Sequence, residues 1–257
     1  MSNNSNSIIS KKARIGNNSK IGAFTIIEDD VEIGDDVEIG ANVLIANGAR
    51  ISDKVKIHHG AVVATVPQDL KFGGEETTFE IGEGTVVREY ATLNRGTNHS
   101  KKSVVGKNCF LMAYAHIAHD CHIGDNVIIA NSVQMGGHVE IGDWAIIGGL
   151  VAIHQFSKIG MHAMVGGGFR VVKDIPPYIL AGREPIRFEG INVVGLKRRG
   201  FTDAHIKNIK EAYDIIYYSG LNFGDAVRKL KENADLPGEV KVITDFIELS
   251  KRGIIKG

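Results

Sequence analysis

Aliphatic residues recur at every sixth position over most of the chain. The series runs from Ile9 to Val171 and is broken only at Asp69, Glu75 and His99. Four residues after each aliphatic position, small or β-branched residues stand almost throughout. Neither the 3.6-residue period of a helix nor the alternation of a simple strand produces this pattern. It predicts short strands joined by tight turns, in which each hexad forms one side of a triangular prism and three hexads complete one coil.

The interruptions of this period fall in two polar segments that contain glycine or proline. The first segment is ATVPQDLKFGGEETT and the second is NRGTNHSKK. Because the period resumes in register after both, each segment is expected to be a loop extruded from the prism, at about residues 64–80 and 94–104. Loops on a rigid scaffold often carry function.

The repeat stops at KDIPPYILAGREPIRF, directly after Val171. We therefore assign residues 1–178 to the β-helix, 179–200 to a connecting segment and 201–257 to a second domain. The fold class that follows is mainly β, a parallel β-helix of hexapeptide repeats with a small C-terminal α-helical domain.

The second domain has the sequence pattern of helices. In FTDAHIKNIKEAYDIIYYSG, Thr202 is a candidate N-cap, apolar residues recur at helical spacing, and Gly220 is a candidate terminator. Two further helices are expected near residues 222–234 and 238–251.

Composition excludes several classes of protein. The 257 residues include 30 basic and 30 acidic ones, so no overall charge indicates nucleic acid or an anionic membrane. The polar N-terminus and the absence of a long apolar run predict a cytoplasmic protein without a membrane span. The two cysteines, Cys109 and Cys121, occupy the small inward position and are expected to fill the core.

Candidate chemistry is concentrated in AHIAHDCHIGD, where His116, His119 and His122 are spaced three residues apart. None of these histidines occupies an inward position, so all three should face outward. For His122, and for His162 further along the chain, we expect simple surface decoration.

Stacking of the coils brings polar residues from neighbouring repeats into columns on one surface strip. One column contains His119, Gly137 and Gln155, and a second contains Asp120 and His138. This arrangement suits acyl transfer, because His119 can act as a general base with Asp120 as its orienting carboxylate. The amide of Gly137 can then stabilise an oxyanion.

Six motifs give the chain a specific resemblance to a known family. They are PQDLKF, AYAHIAHDCHIGD, MGGHVEIGD, AIHQF, DIPPY and GLKRRGF. In this order they resemble the UDP-N-acetylglucosamine O-acyltransferases that begin lipid A biosynthesis, and the match covers essentially the whole chain. The resemblance implies a left-handed β-helix and a homotrimer with active sites between subunits. It also implies transfer of a 3-hydroxyacyl group from the phosphopantetheine of acyl carrier protein to the sugar 3-hydroxyl, with no metal or other cofactor.

The resemblance also assigns residue roles. It implies that His119 is the base, that Asp120 supports it, and that Gly137 donates to the oxyanion. Sugar and phosphate contacts would come from Gln68, Asp69, Lys71, His116, His138, His154 and Gln155, and nucleotide contacts from Asn192, Arg198 and Arg199. Val194 stands where the family has an acidic residue near the uracil, and Gly167 stands at the position of the acyl-length ruler, close to Phe169.

Basic residues gather late in the chain, where they could receive an acidic acyl carrier protein. Some of them could instead serve the nucleotide phosphates or lie on a solvated face. They are Arg170, Lys173, Arg183, Arg187, Lys197, Arg198 and Arg199.

Four alternatives remain open on sequence alone. The acceptor could be a 3-amino nucleotide sugar, since the same base would serve. A zinc-dependent hydratase of hexapeptide repeats would need three converging histidines. The later N-acyltransferase of the pathway has an additional N-terminal uridine-binding domain, whereas this repeat begins at Ile9. A purely structural or binding β-helix would have flat, repetitive faces, unlike the irregular polar column here.

Overall fold

The computed structural model describes residues 2–3, 6–232 and 235–257. This part of the chain contains 28 strands and four helices. Successive strands fall in turn on three sheets, which form the three faces of a prism. No helix among the described residues is long and apolar enough to cross a membrane.

Face 1 consists, in spatial order, of β1 (Ser2–Asn3), β4 (Lys20–Ile21), β7 (Glu38–Ile39), β10 (Lys56–Ile57), β13 (Val86–Val87), β16 (Phe110–Leu111), β19 (Ile128–Ile129), β22 (Ile146–Ile147), β25 (Met164–Val165), β27 (Ile179–Gly182) and β28 (Arg187–Ile191). Face 2 consists of β2 (Ile8–Ile9), β5 (Ile26–Ile27), β8 (Leu44–Ile45), β11 (Val62–Thr65), β14 (Thr92–Asn94), β17 (His116–Ile117), β20 (Gln134–Met135), β23 (Ala152–Ile153) and β26 (Arg170–Val171). Face 3 consists of β3 (Arg14–Ile15), β6 (Val31–Ile33), β9 (Ala49–Ile51), β12 (Thr78–Ile81), β15 (Lys102–Val105), β18 (His122–Ile123), β21 (Glu140–Ile141) and β24 (Lys158–Ile159).

The aliphatic position of each hexad points into the prism, as the period predicts. Ile117, for example, pairs with Leu93 on one side and Met135 on the other, and all three are buried. The small position is also internal. Burial raises the pKa of the Cys109 thiol to about 11 and that of Cys121 to about 12, so both cysteines are core residues, as expected.

Tight turns, most of them with one residue at positive φ, join the faces. In a single coil, Tyr114 (φ 62°) lies between faces 1 and 2, Asp120 (φ 57°) between faces 2 and 3, and Asn126 (φ 58°) between faces 3 and 1. We call these edges of the prism the first, second and third corner, respectively. Both extruded loops, residues 66–77 and 95–101, leave from the second corner.

The C-terminal part adds four helices, and three of them were predicted. They are α1 (Val193–Arg198), α2 (Asp203–Tyr218), α3 (Phe223–Lys231) and α4 (Gly238–Leu249). The hydroxyl of Thr202 caps α2, as its position in the sequence indicated, and accepts a hydrogen bond from the amide of His205. The antiparallel pair β27 and β28 and the helix α1 were not predicted, because the repeat ends before them.

The prediction for His162 is wrong, because this residue is buried rather than exposed. It lies at the third corner, where its ring stacks on Trp144 and Tyr178, with centroid distances of 6.4 and 5.7 Å. Phe201, just before α2, meets it edge-on at 5.0 Å. His162 therefore connects the prism to the helical domain. His122 is exposed, as expected.

Lowering the pH should weaken the packing of His162 between the prism and the helical domain. Burial, assisted by the nearby charge of Arg199, lowers the pKa of His162 from 6.5 to about 4. Between these values the unfolded chain takes up a proton at this residue that the folded chain does not, so the free energy of unfolding falls as the pH is lowered. We predict that His162→Phe, which keeps an aromatic ring, reduces this loss. Denaturant unfolding measured from pH 7 to 4 tests it.

The matched control is His122→Phe, which makes the same change of ring at an exposed position. If the free energy of unfolding of His162→Phe fell with pH as steeply as that of the wild type, the prediction would be wrong.

Candidate active site

His119 and Asp120 form the turn between β17 and β18, at the second corner. The Nδ1 atom of His119 lies 2.7 Å from Oδ2 of Asp120. The side chain of His119 is 13% exposed, whereas that of Asp120 is fully buried. If the carboxylate accepts the Nδ1 proton, the neutral imidazole has a free lone pair on Nε2, which is the arrangement a general base requires.

Several donors converge on Asp120. The amide and hydroxyl of Thr97 lie 3.0 and 2.7 Å from its carboxylate oxygens, and the amide of Ser100 lies at 3.2 Å. The Ser100 hydroxyl also donates to it. Burial raises the pKa of the Asp120 carboxyl, but the hydrogen bonds from Ser100, His119 and Thr97 outweigh it and hold the pKa well below its usual range. The carboxylate is therefore ionised near neutral pH.

Gly137 lies on the next coil, directly against the imidazole. A Cβ atom at this position would lie 2.5 to 3.0 Å from three ring atoms of His119, so any side chain here would displace the imidazole. Among the described residues, nothing accepts a hydrogen bond from the Gly137 amide. This N–H group is therefore available beside the imidazole of His119.

His138 completes the cluster. Its Nε2 atom lies 3.9 Å from Oδ2 of Asp120, and its ring stacks on Phe156 at 4.3 Å. Burial lowers the pKa of His138, although the charges of Asp120 and Asp69 act in the opposite direction. His138 is therefore a mainly neutral hydrogen-bonding group at physiological pH.

The spacing of His119, Asp120 and His138 would also allow a metal ion, since one ligand atom from each lies within 4.8 Å of the others. Both carboxylate oxygens, however, already accept hydrogen bonds from Thr97 and Ser100, and Nδ1 of His119 faces Asp120. These contacts suit a proton-transfer pair better than a set of metal ligands.

The remaining predicted sugar and phosphate contacts lie around the second corner. His154 and Gln155 are exposed in the turn after β23, and Gln68 and Lys71 are exposed on the first extruded loop. His116 lies on face 2, where its Nδ1 atom is 2.8 Å from the hydroxyl of Thr92. Burial and the neighbouring His119 lower the pKa of His116.

The predicted nucleotide contacts lie elsewhere, at the third corner. The guanidinium of Arg199 stands 5.2 Å above the ring of Trp144 and has a buried Nη1 atom without a partner. Arg198 and Val194 are exposed. Asn192 is buried; its side chain accepts a hydrogen bond from the amide of Gly195, which caps α1, and donates to the carbonyl of His162.

Gly167 lies at the first corner, in the turn after β25. A Cβ atom there would lie 3.0 Å from the carbonyl oxygen of Gly149. A Cβ atom on Gly166 would lie 2.9 Å from the ring of Phe169. A larger residue at either position would therefore require a local shift.

Sequence reasoning missed three residues around these sites. Thr97 and Ser100 contact Asp120 from the second loop, and Trp144 supports Arg199. The only signal for Thr97 and Ser100 was their location in a break of the repeat. For Trp144 it was an aromatic residue at a turn position.

Family models match two parts of the chain. The model for bacterial transferase hexapeptide repeats matches residues 12–47 and 102–137. The model described as Udp N-acetylglucosamine O-acyltransferase, domain 2, matches residues 174–255.

Relatives and solved structures match nearly the whole chain. An acyl-(acyl-carrier-protein)–UDP-N-acetylglucosamine O-acyltransferase from Thiobacillus denitrificans is 43% identical over 250 residues, covering 97% of each chain. The crystal structure of a UDP-N-acetylglucosamine acyltransferase from Bacteroides fragilis is 46% identical, with a TM-score of 0.95 over 98% of this chain and 99% of that one. A UDP-N-acetylglucosamine acyltransferase from Campylobacter jejuni is 33% identical, with a TM-score of 0.93 over 99% of each chain.

The prism and its repeat thus define a hexapeptide-repeat acyltransferase, and the predicted fold class, a left-handed parallel β-helix with a small helical domain, is confirmed. Within that class, the chain belongs to the family of UDP-N-acetylglucosamine O-acyltransferases.

Proposed function

We propose that the protein transfers a 3-hydroxyacyl group from acyl carrier protein to the 3-hydroxyl of UDP-N-acetylglucosamine, in the first step of lipid A biosynthesis. The observation that carries this proposal is the pair His119 and Asp120 beside the free amide of Gly137, in a chain of this family.

The reaction follows from these groups. Nε2 of His119 accepts the proton of the sugar hydroxyl as its oxygen attacks the thioester carbonyl. The amide of Gly137 donates to the oxyanion of the tetrahedral intermediate. When the intermediate collapses, the carbon–sulfur bond breaks and the phosphopantetheine thiol leaves with the proton held by His119. Asp120 keeps Nδ1 protonated and stabilises the transient imidazolium.

This mechanism predicts that His119→Ala abolishes turnover while the fold survives, because the side chain supports no core contact. The loss should be at least about 10²-fold, as expected for a general base. Turnover is measured with 3-hydroxyacyl-acyl carrier protein and UDP-N-acetylglucosamine, and a thermal unfolding curve reports the fold. Retention of more than about a tenth of wild-type activity would mean that another group is the base.

Two further measurements with this assay test the 3-amino sugar and the zinc-dependent alternatives. Preference for the 3-amino analogue of the sugar would move the proposed acceptor from a hydroxyl to an amine. Loss of activity on treatment with a chelator, and recovery with Zn²⁺, would favour the metal-dependent alternative at His119, Asp120 and His138.

The proposed enzyme is a homotrimer with the first corner on the threefold axis. This corner exposes a column of large apolar side chains, including Phe24 (60% exposed), Tyr114 (57%) and Leu150 (71%). Tyr114 stacks on Tyr90 of the preceding coil. The outward positions of face 3 instead carry ion pairs, such as Glu140 with Lys158. Burial of the apolar corner, with face 3 left in solvent, favours a closed threefold assembly.

This arrangement would bring separated residues together. Around a threefold axis, face 1 of one copy packs on face 2 of the next, so the second corner of one copy meets the third corner of its neighbour. His119 at the second corner and Arg199 at the third would then contribute to the same nucleotide-sugar site, although they lie on different edges of one prism.

Mixed trimers test this composite site. We predict that His119→Ala and Arg199→Glu are each inactive alone but regain activity when they are co-expressed. With random mixing, about a quarter of the sites combine an intact second corner with an intact third corner. Turnover per subunit of the co-purified mixture measures this. Absence of recovery, with trimers confirmed by light scattering, would place both residues in sites within single chains.

We also propose where acyl carrier protein docks. Arg170, Lys173, Arg187 and Lys256 surround a cavity of about 340 Å³ with an apolar floor that includes Val172 and Ile255. Arg170 is paired with Glu184 at 3.3 Å, whereas Lys173 is exposed. A basic rim around an apolar floor complements an acidic carrier protein.

Charge reversal at this cavity should weaken binding of the acyl donor without affecting binding of the sugar acceptor. We predict that Lys173→Glu and Arg170→Glu raise KM for acyl carrier protein severalfold and leave KM for the nucleotide sugar unchanged. Added salt should mimic this effect, because screening acts beyond about 8 Å at physiological ionic strength. Lys12→Glu, an exposed reversal at the other end of the prism, is the matched control. Equal effects on both substrates would place docking elsewhere.

A further inference from the structure

The second extruded loop, residues 95–101, encloses the carboxylate of Asp120. Thr97 donates its amide to Oδ1 and its hydroxyl to Oδ2. Ser100 donates both its amide and its hydroxyl to Oδ1. Apart from His119, these two loop residues supply every hydrogen bond to this carboxylate within the described residues.

The loop itself is held in one shape by its own contacts. The amide of Lys101 donates to the carbonyl of Thr97 at 2.9 Å, and the amide of His99 donates to the Thr97 hydroxyl at 3.2 Å. Gly96 lies so close to the backbone of Lys102 that a Cβ atom would approach it to 2.4 Å. The hydroxyl groups that reach Asp120 are therefore fixed by the loop.

A contact between the two loops adds a further restraint. Glu75 of the first loop accepts a hydrogen bond from the amide of Asn98, at 3.0 Å, and another from Gly73 within its own loop. The ring of the next residue, His99, meets His138 edge-on at 4.6 Å. The turn from Thr97 to Ser100 is thus held between the first loop and the histidine cluster.

These donors determine which way the carboxylate can turn. A buried carboxylate with a single partner could rotate or take up a proton, and His119 would then lose the acceptor that keeps hydrogen on Nδ1. With Thr97 and Ser100 in place, Oδ1 is occupied by the loop and Oδ2 remains directed at His119.

The geometry points to Thr97 and Ser100 as positioning residues for acyl transfer, which act through Asp120 to hold His119 in the tautomer and orientation of a base. This inference rests on the proposed function, in which His119 is the base. Neither residue touches the reacting atoms in this scheme, so their loss should lower kcat and leave both KM values unchanged.

The experiment compares variants that remove a hydroxyl with variants that keep it. We expect Ser100→Ala and Thr97→Val to lower kcat at least about tenfold, because hydrogen bonds to charged groups are among the stronger ones. Thr97→Ser should stay within about threefold of the wild type. Ser52→Ala, at an exposed turn distant from the site, is the matched control.

Two measurements separate positioning from a merely structural role. In an Asp120→Ala background, adding Ser100→Ala should change kcat less than twofold, since the residue through which it acts is gone. The ¹⁵N resonances of His119, identified by their absence from His119→Ala, should show Nδ1 protonated in the wild type and a mixture of tautomers in Ser100→Ala.

The outcomes distinguish this inference from the proposed function. Wild-type kcat in Ser100→Ala and Thr97→Val, together with inactive His119→Ala, would overturn the positioning role alone. The same conclusion would follow if Ser100→Ala and Asp120→Ala lowered kcat additively, or if the His119 tautomer were unchanged in Ser100→Ala. Full activity of His119→Ala would overturn both the base assignment and the positioning role.

Discussion

The register of inward aliphatic side chains is the constraint on which the rest of the structure depends. Each coil contributes one such residue from each face, and each packs between its equivalents one coil above and below, as Ile123 does between Val105 and Ile141. The prism is only as wide as these side chains, so its interior has no space for a polar cluster or a ligand. Chemistry can therefore be placed only at the turns, on the outer faces and in loops.

The candidate site lies on turns in which one residue has the left-handed conformation. Asp120 (φ 57°) and His138 (φ 61°) both adopt it. Neighbouring strands of a sheet lie about 4.8 Å apart, a spacing that leaves little room for a ring between two coils. The imidazole of His119 fits because Gly137, on the next coil, has no side chain. The site thus depends on the turn conformation that the fold imposes and on the glycine at position 137.

Features that depend on the six-residue period could be predicted from the sequence, and those that depend on contacts between distant segments could not. The period indicated the three faces, the internal cysteines and the column that contains His119 and Gly137. It wrongly placed His162 at the surface, because Phe201 covers this residue from the helical domain. It gave no information on Asn192, whose side chain caps α1. The hydrogen bonds from Thr97 and Ser100 to Asp120 were also not predicted, because these residues lie in a loop outside the six-residue repeat.

The two extruded loops arise from neighbouring coils, because β11 pairs with β14 and β12 pairs with β15. The ladder of the prism continues on both sides of each loop. The entropy of closing a loop grows slowly with its length, by about 0.6 kcal/mol for each doubling. Insertions and deletions in residues 66–72 of the first loop would thus change the surroundings of His119 at small thermodynamic cost, while the prism stays in place. The surroundings of the candidate site can therefore diversify in this fold nearly independently of stability.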